Sequence, residues 1–226
     1  MRKKGLGTIK KAKLKGEDVL VRIIKFDRLR NYVFEEICKE VNNYILQGRD
    51  ELLEIMGYYI SPSNELHLFM PKLVSLYQLL HSGVKLLPHE KIKIASKVAE
   101  GMSFLHRMGK AHTHLSSHNI LINVDMEVKI ADYDLFMVKK FASVFLRLNL
   151  KNAWSSPEIL GGTYRYDSGT SASILQHQDS DPMTLNASDV FSYGIVLWEM
   201  ETEKVPFEQA NQQALRKYIF EEDLRP

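Results

Sequence analysis

Two polar segments in the second half of the chain carry the side chains best suited to chemistry. The first, His112–Ile122, contains three histidines and Asn119, and the second, Asp132–Asp134, contains two aspartates. Histidine accepts a proton near neutral pH, and amide and carboxylate oxygens bind hard cations such as Mg²⁺. Taken singly, a histidine is more commonly packed or solvated, and an asparagine or aspartate in a loop is more commonly a turn residue. Any functional assignment therefore has to rest on the order and spacing of these residues.

Apolar patterns predict the elements that position these two segments. Ile120–Ile122 and Val128–Ile130 are short apolar runs typical of a strand pair. Before them, residues 88–109 predict a helix that begins at a proline and ends at a glycine. After them, Val190–Met200 is apolar enough to predict a buried helix, whereas residues 161–187 are polar, lack periodicity and predict a mobile surface loop. The apolar stripe of the first helix consists of Ile94, Val98, Met102 and Leu105.

The first third of the chain predicts a sheet with one helix. A turn signal at residues 14–18 precedes the β-branched, apolar run Val19–Ile24. Two further apolar runs, Ile55–Ile60 and Leu66–Met70, flank the turn Ser61–Asn64 and predict an antiparallel hairpin. Between the first run and the hairpin, apolar residues recur at the spacing of one helical face. They are Phe34, Ile37, Cys38, Val41 and Ile45.

Composition favours an ordinary globular protein. The chain has 226 residues, of which 45% are hydrophobic and 26% charged, and its formal net charge is +2. We expect a single domain over residues 1–226, with a sheet-rich lobe over about residues 1–70 and a helix-rich lobe over residues 71–226. The small net charge argues against nucleic-acid binding, and the sequence predicts no membrane span and no signal segment. The single cysteine, Cys38, excludes an internal disulfide and favours a reducing compartment, so we expect a cytoplasmic protein.

Together, the two polar segments resemble the catalytic and metal-binding loops of protein kinases. In that family the loops have the patterns H-R-D-L-x-x-x-N and D-F-G. His112, Leu115 and Asn119 match the first pattern, and Asp132 matches the second. The resemblance implies that Asn119 and Asp132 would be the magnesium ligands.

Thr113, His114, Ser116 and Asp134 depart from the kinase patterns in ways that bear on the chemistry. Thr113 stands where arginine is usual, and His114 stands where the aspartate that accepts the proton of the substrate hydroxyl is usual. Ser116 replaces a lysine that commonly faces the phosphate. Asp134 replaces the glycine of D-F-G, where a second carboxylate would either ligate another cation or repel the phosphates. The resemblance thus implies no catalytic residues, since losing a positioned base costs about 10²–10⁴ in rate.

The sheet-rich part carries weaker matches to the nucleotide-binding residues of kinases. Gly5 and Gly7 resemble the end of the glycine-rich phosphate loop, with Lys4 where another glycine would be. The run V-L-V-R that ends at Arg22 resembles V-A-I-K, whose lysine contacts the α- and β-phosphates, and Glu40 matches the glutamate that pairs with that lysine. A strand-to-strand turn, a solvated strand cation and a solvated helix charge remain the alternative interpretations.

Further matches continue along the chain. Phe69 and Met70 would form the hinge, with backbone groups facing an adenine, and His67 would lie just before it at the back wall of the pocket, although apolar strand packing is an alternative for all three. Trp154–Glu158 resembles the A-P-E that closes the activation segment, and Ser188–Glu199 matches the buried helix of the large lobe.

The resemblance covers nearly the whole chain and is nearest to the tyrosine-kinase-like group, including Raf-like and integrin-linked-kinase-like domains. It implies an α+β, bilobal protein-kinase-like fold, with a small antiparallel sheet lobe and a larger helical lobe. We also expect that the C-terminal helices of the family are missing. Glu158 would then lack the arginine with which it usually pairs, and residues 161–187 are longer than the usual link.

The catalytic loop lacks the residues that drive phosphoryl transfer, whereas matches to the kinase fold extend along nearly the whole chain. This combination predicts a pseudokinase. We expect a signalling scaffold or allosteric module that binds signalling proteins through kinase-like surfaces, with binding of ATP and Mg²⁺ weak or absent. One alternative is an atypical Ser/Thr or Tyr kinase in which His114 or a displaced carboxylate acts as the base. The other is a truncated structural fragment without independent function.

Overall fold

The computed structural model describes residues 2–3, 7–26, 31–45, 48–133, 138, 141–142, 153–161 and 182–226. Three of the predictions made above, those for Lys4, Gly5 and Asp134, lie outside the described residues. So does most of the predicted loop at residues 161–187.

The sheet lobe is an antiparallel sheet with one helix packed on it. Across the sheet, the strands follow the order Arg2–Lys3, Thr8–Leu14, Glu17–Lys25, Glu65–Pro71 and Gly57–Ser61. The turn between the second and third of these strands along the chain is made by Lys15 and Gly16, both with positive φ, which glycine adopts without a steric penalty. The elements are β1 (Arg2–Lys3), β2 (Thr8–Leu14), β3 (Glu17–Lys25), α1 (Asn31–Ile45), β4 (Gly57–Ser61) and β5 (Glu65–Pro71). The predicted strands, helix and hairpin are thus confirmed.

One face of this sheet, here called the inner face, points into the molecule. Arg22 lies opposite Leu68, and Leu20 lies opposite Met70. Because residues opposite each other in an antiparallel pair point to the same side, these side chains share a face. The inner face consists of Leu20, Arg22, Ile24, Leu66, Leu68 and Met70. Helix α1 contributes Ile37, Val41 and Tyr44 to the same core as Ile24, Leu66 and Leu68. The buried face of α1 therefore consists of Val33, Ile37, Val41 and Tyr44, and the predicted stripe is wrong at Phe34, which is 44% exposed.

The second lobe is mainly helical. The helix Pro88–Arg107 has a proline in its first turn. At its start, Glu90 accepts the backbone N–H of Leu87 at 2.7 Å, which satisfies one of the free donors there. The elements are β6 (Val74–Ser75), α2 (Leu76–Leu80), α3 (Pro88–Arg107), β7 (Ile120–Ile122), β8 (Val128–Ile130), α4 (Pro157–Gly161), α5 (Pro182–Thr202) and α6 (Gln212–Leu215), which continues as a π-helical segment over Arg216–Glu221. The fold is α+β, as expected.

Backbone hydrogen bonds join the two lobes. The N–H of Leu53 donates to the carbonyl of Ile130 at 2.8 Å, and the N–H of Ile130 donates to Glu51 at 2.7 Å. Leu52 and Ile130 form a parallel bridge at this point. The segment after α1 is therefore fixed to the end of β8, next to the second polar segment.

One boundary of the predicted loop is wrong. Helix α5 begins at Pro182, so residues 182–187 are helical. Proline fits the first helical position because its missing N–H would have no partner there. The first turns of this helix carry no repeating apolar residues in the sequence, and Met183 is mostly exposed, so the pattern did not predict the start of the helix. None of the helices in the described part of the chain combines the length and the apolar composition that crossing a bilayer requires.

Two helical glycines provide a test of the packing around α3. A Cβ at Gly101 would lie 2.7 Å from the side chain of Ile130 and 2.9 Å from Cβ of Glu51, whereas a Cβ at Gly194 would meet nothing within 4 Å. We expect Gly101→Ala to lower the free energy of unfolding by about 1–2 kcal/mol through overpacking. Gly194→Ala should raise it by up to about 1 kcal/mol through helix propensity. Urea denaturation measures both, and a stabilised Gly101→Ala variant would contradict the packing described here.

Candidate active site

A buried ion pair joins the sheet to the loop after β8. Arg22 Nη1 donates to Asp132 Oδ1, and the two residues have only 5% and 4% of their surface exposed. Asp132 has a left-handed backbone with φ of 65°. Arg22 Nε has no acceptor among the residues that the structure describes. The fold thus brings together two predicted site residues that are 110 positions apart in the sequence.

Helix α1 contacts the loop beside this ion pair at two points. The ring of Tyr44 stacks on that of Tyr133, with centroids 4.2 Å apart and planes inclined by 19°. Burial raises the pKa of Tyr44 well above its usual range, so its hydroxyl stays protonated. Glu40 Oε2 accepts the backbone N–H of Val138 at 2.9 Å. Glu40 therefore helps to position the chain after the second polar segment, and its predicted pairing within a nucleotide site stays a prediction.

The first polar segment is held by one buried carboxylate from α5. The backbone N–H groups of His112 and Thr113 each donate to Asp189 at 2.7 Å, and His106 Nε2 lies 2.9 Å from the same carboxylate. Thr113 has φ of 70°, a left-handed conformation that β-branched residues rarely adopt. Asp189 therefore stabilises a strained turn that the chain would otherwise avoid.

The position predicted for the catalytic base lies directly after this turn. His114 is 6% exposed, and its Nδ1 lies 2.9 Å from the carbonyl oxygen of His112. Because a carbonyl only accepts, Nδ1 carries a proton. Ser116 is also buried, and its carbonyl accepts the N–H of Asn119 at 2.9 Å. The base position thus holds a histidine tied to its own loop, and the neighbouring serine supplies no cation.

Each of the two predicted metal ligands, Asn119 and Asp132, makes a side-chain contact within the protein. Asn119 Nδ2 donates to the carbonyl of His114 at 3.0 Å, and the charge of Asp132 is balanced by Arg22. Among the described residues, no group of three or more histidine, cysteine, aspartate or glutamate side chains is placed to hold a metal ion. The roles of Asn119 and Asp132 as ligands stay predictions.

The predicted hinge lies inside β5. Met70 is buried on the inner face, and Phe69 points to the opposite face because adjacent residues in a strand alternate. The carbonyl of Phe69 accepts the N–H of Met56 at 2.8 Å. That carbonyl is therefore already engaged within the protein, and contact of the hinge with an adenine stays a prediction.

The predicted place of His67 at the back wall of the pocket is wrong. His67 lies opposite Tyr59 on the outer face of the sheet, with ring centroids 5.7 Å apart, and near Glu65 at 3.4 Å. Leu68, opposite Arg22, is the residue of this part of β5 that lies on the inner face. The alternation of Leu66, Leu68 and Met70 with more polar residues was the sequence signal for this arrangement.

A separate apolar cluster, here called the cleft cluster, joins the sheet to β7. Its buried members are Leu53, Met70, Leu121 and Ala131, and the partly buried Leu20 and Leu73 pack against it. The prediction did not include Leu20. The signal was present, because leucine stands in V-L-V-R where the kinase pattern V-A-I-K has alanine.

Gly7 meets a steric requirement of the sheet. Its φ is 100°, and a Cβ there would lie 2.4 Å from the carbonyl oxygen of Ile23. Only glycine allows this approach, so the alternative interpretation as a turn between strands accounts for Gly7. Its predicted contact with phosphate is not needed to explain the residue and stays a prediction.

A second buried carboxylate of α5 fixes the segment that resembles A-P-E. Trp154 Nε1 donates to Glu199 Oε2 at 2.8 Å, and His81 Nε2 lies 3.0 Å from Glu199 Oε1. Burial raises the pKa of the Glu199 carboxyl above its usual range, while the contacts with His81 and Trp154 act in the opposite direction. The sequence matched Glu199 to the family, but its contacts were not predicted.

Comparison with known proteins agrees with this geometry. The pattern described as "Protein tyrosine and serine/threonine kinase" matches residues 4–226. The chain is similar to the serine/threonine-protein kinase STY46 of Arabidopsis thaliana, with 29% identity over 97% of this chain and 35% of the relative. It is also similar to a probable serine/threonine-protein kinase of Dictyostelium discoideum, with 28% identity over 97% of this chain and 22% of the relative. The chain therefore spans about a third or less of the length of these relatives. Its fold, its loops and the extent of the match show that the chain belongs to the protein tyrosine and serine/threonine kinase family.

Proposed function

We propose that this kinase domain is a pseudokinase that acts as a signalling scaffold or allosteric module and does not transfer phosphate. Its partners would be signalling proteins that bind its surface, in the cytoplasm, a location that the single cysteine favours. The observation that carries the proposal is His114, which stands at the base position, is buried and is held by its own loop.

The chemistry of phosphoryl transfer supports this proposal. Kinases use an aspartate at that position to accept the proton of the substrate hydroxyl, and charge stabilisation supplies most of the remaining rate. Nδ1 of His114 already carries a proton for the carbonyl of His112, which leaves Nε2 as the only acceptor of a neutral ring. Ser116 brings no positive charge to the phosphate. Both deficits lie in one constellation, so their effects do not simply add, but both lower the rate.

A phosphate-transfer assay tests the proposal. The purified chain is incubated with Mg²⁺ and ATP labelled at the γ-phosphate, with generic protein substrates and with itself as substrate. We expect incorporation at background, at least about 10²–10⁴ below that of a kinase with its base in place. The control is Asn119→Ala, which removes a residue that transfer would need. Equal, background signals are expected for wild type and variant, with circular dichroism confirming that both are folded.

The second candidate function is an atypical active kinase. The relatives named above are serine/threonine-protein kinases, and Asn119 and Asp132 are retained in the loops that Asp189 and β8 position. Transfer by the wild type that Asn119→Ala abolishes would establish this function and overturn the pseudokinase proposal.

A further inference from the structure

We propose that the nucleotide cleft of this domain is filled by its own side chains, so that the two lobes are held together without ATP. The inference rests on the proposed function and deepens it, because it specifies how the same site is regulated. The side chains that fill the cleft form two groups. The apolar half is Leu20 with the cleft cluster, and the polar half is the ion pair of Arg22 with Asp132.

The apolar half occupies the place where a base would have to lie. An adenine that contacts the hinge would rest against Met70 on the inner face of the sheet. Leu20 lies directly opposite Met70 on that face and packs on the cleft cluster, which includes Leu121 from the other lobe. The kinase pattern has alanine at this position, so an isobutyl group here stands in place of a methyl group. The space between the sheet and Leu121 is therefore taken by protein.

The polar half occupies the place of the phosphates and the metal. Arg22 stands where the kinase pattern has the lysine that contacts the phosphates, and Asp132 stands where it has the aspartate that holds the metal. In this chain the two charges compensate each other, and both side chains are buried. Binding of Mg²⁺ and ATP would have to separate a buried pair, which leaves each charge without its partner. Both the occupied space and the ion pair therefore disfavour binding of ATP and Mg²⁺.

Closure of the lobes follows from these contacts. The cleft cluster joins Leu53 and Met70 of the sheet lobe to Leu121 and Ala131 of the other lobe. The backbone bonds of Ile130 to Glu51 and Leu53 tie the same region. A bound nucleotide would normally bridge two such lobes, and here the side chains already do so. The surfaces that a partner meets are therefore presented in one arrangement whether or not ATP is present.

Thermal unfolding with Mg²⁺ and ATP tests this inference on the whole chain. The wild type should change its melting temperature by less than about 1 °C, even at millimolar nucleotide. The double variant Leu20→Ala with Arg22→Lys should gain binding, because alanine opens the apolar half and lysine replaces the planar fork with a compact ammonium. At a concentration about a hundred times its dissociation constant, ATP should then raise the melting temperature by about 5–10 °C.

A matched control separates opening of the cleft from general loosening. Val19 is buried and lies one position from Leu20, so it points to the opposite face of the sheet. Val19→Ala with Arg22→Lys removes buried methyl groups without opening the cleft, and no ATP-dependent shift is expected. The single variant Leu20→Ala provides a second test if the double variant does not fold, with a smaller but measurable shift expected.

Two results would overturn the inference. One is an ATP-dependent shift of several degrees in the wild type, and the other is the absence of any shift in every folded variant that carries Leu20→Ala. These results are distinguishable from failure of the proposed function. Nucleotide binding by a wild type that shows no phosphate transfer would contradict only the inference of a filled cleft. Phosphate transfer by the wild type would contradict the proposal that the domain is a pseudokinase.

Discussion

Replacing Asp189 with alanine is expected to lower the free energy of unfolding by about 3–5 kcal/mol. The carboxylate is 1% exposed and accepts the backbone N–H groups of His112 and Thr113, with His106 Nε2 at 2.9 Å. Alanine would leave these buried donors without an acceptor, each at a cost of about 1–3 kcal/mol. It would also release the left-handed turn at Thr113, whose strain the carboxylate offsets.

Chemical denaturation followed by circular dichroism measures this change. The matched control is Glu201→Ala on the same helix, where the side chain is 82% exposed and lies 3.5 Å from Lys91. Exposed ion pairs contribute about 0–1 kcal/mol, so this variant should stay close to the wild type. Similar losses for Asp189→Ala and Glu201→Ala would show that the buried carboxylate does not hold the loop.

The second large effect is expected at Glu199. This side chain is fully buried, and its carboxylate meets Trp154 Nε1 at 2.8 Å and His81 Nε2 at 3.0 Å. Glu199→Ala removes the acceptor of a buried indole and leaves a cavity, so we expect a loss of about 2–4 kcal/mol. Fluorescence of Trp154 should change at the same time, because its indole N–H becomes free. A loss below about 1 kcal/mol would mean that neighbouring groups replace the carboxylate.

The same residue predicts a pH dependence of stability. Burial raises the pKa of Glu199 above the value that it has in the unfolded chain. In the window between the two values the folded state binds more protons than the unfolded state, so the stability contributed by Glu199 falls as pH rises. The variant Glu199→Gln keeps an acceptor but does not titrate. We therefore expect the stability of wild type relative to Glu199→Gln to fall as pH rises above about 4.3, the ordinary pKa of a glutamate, as denaturation curves at several pH values would show. A relative stability that rises with pH would contradict the assigned direction.

The elements that the sequence predicted well are those with a strong local pattern. Helix α3 has a proline at its start, a regular apolar stripe and a glycine beyond its end, and the structure has it over Pro88–Arg107. The hairpin of β4 and β5 follows from two apolar runs around a turn. Helix α5 was found by its apolar second half, but its first turns carry no period, and so its beginning was missed.

The side-chain contacts of the site were predicted less well, because they depend on strand register and on distant residues. His67 was placed in the pocket, although the pairing of β5 with β3 and β4 turns it outward. The partner of Arg22 is 110 positions away, and no local pattern identifies such a pair. The contacts of Asp189 and Glu199 likewise join helix α5 to loops far earlier in the chain.

By itself, the sequence determined the family, the order of the elements and the presence of His114 at the position of the H-R-D aspartate, because each depends on residue identity and spacing along the chain. Only the tertiary structure decided that Arg22 pairs with Asp132 and that Leu20 lies beside Met70 on the inner face of the sheet. The physical reason is that burial and pairing arise where distant segments pack together. A one-residue change of register would turn Leu20 and Arg22 to the other face without altering a single motif.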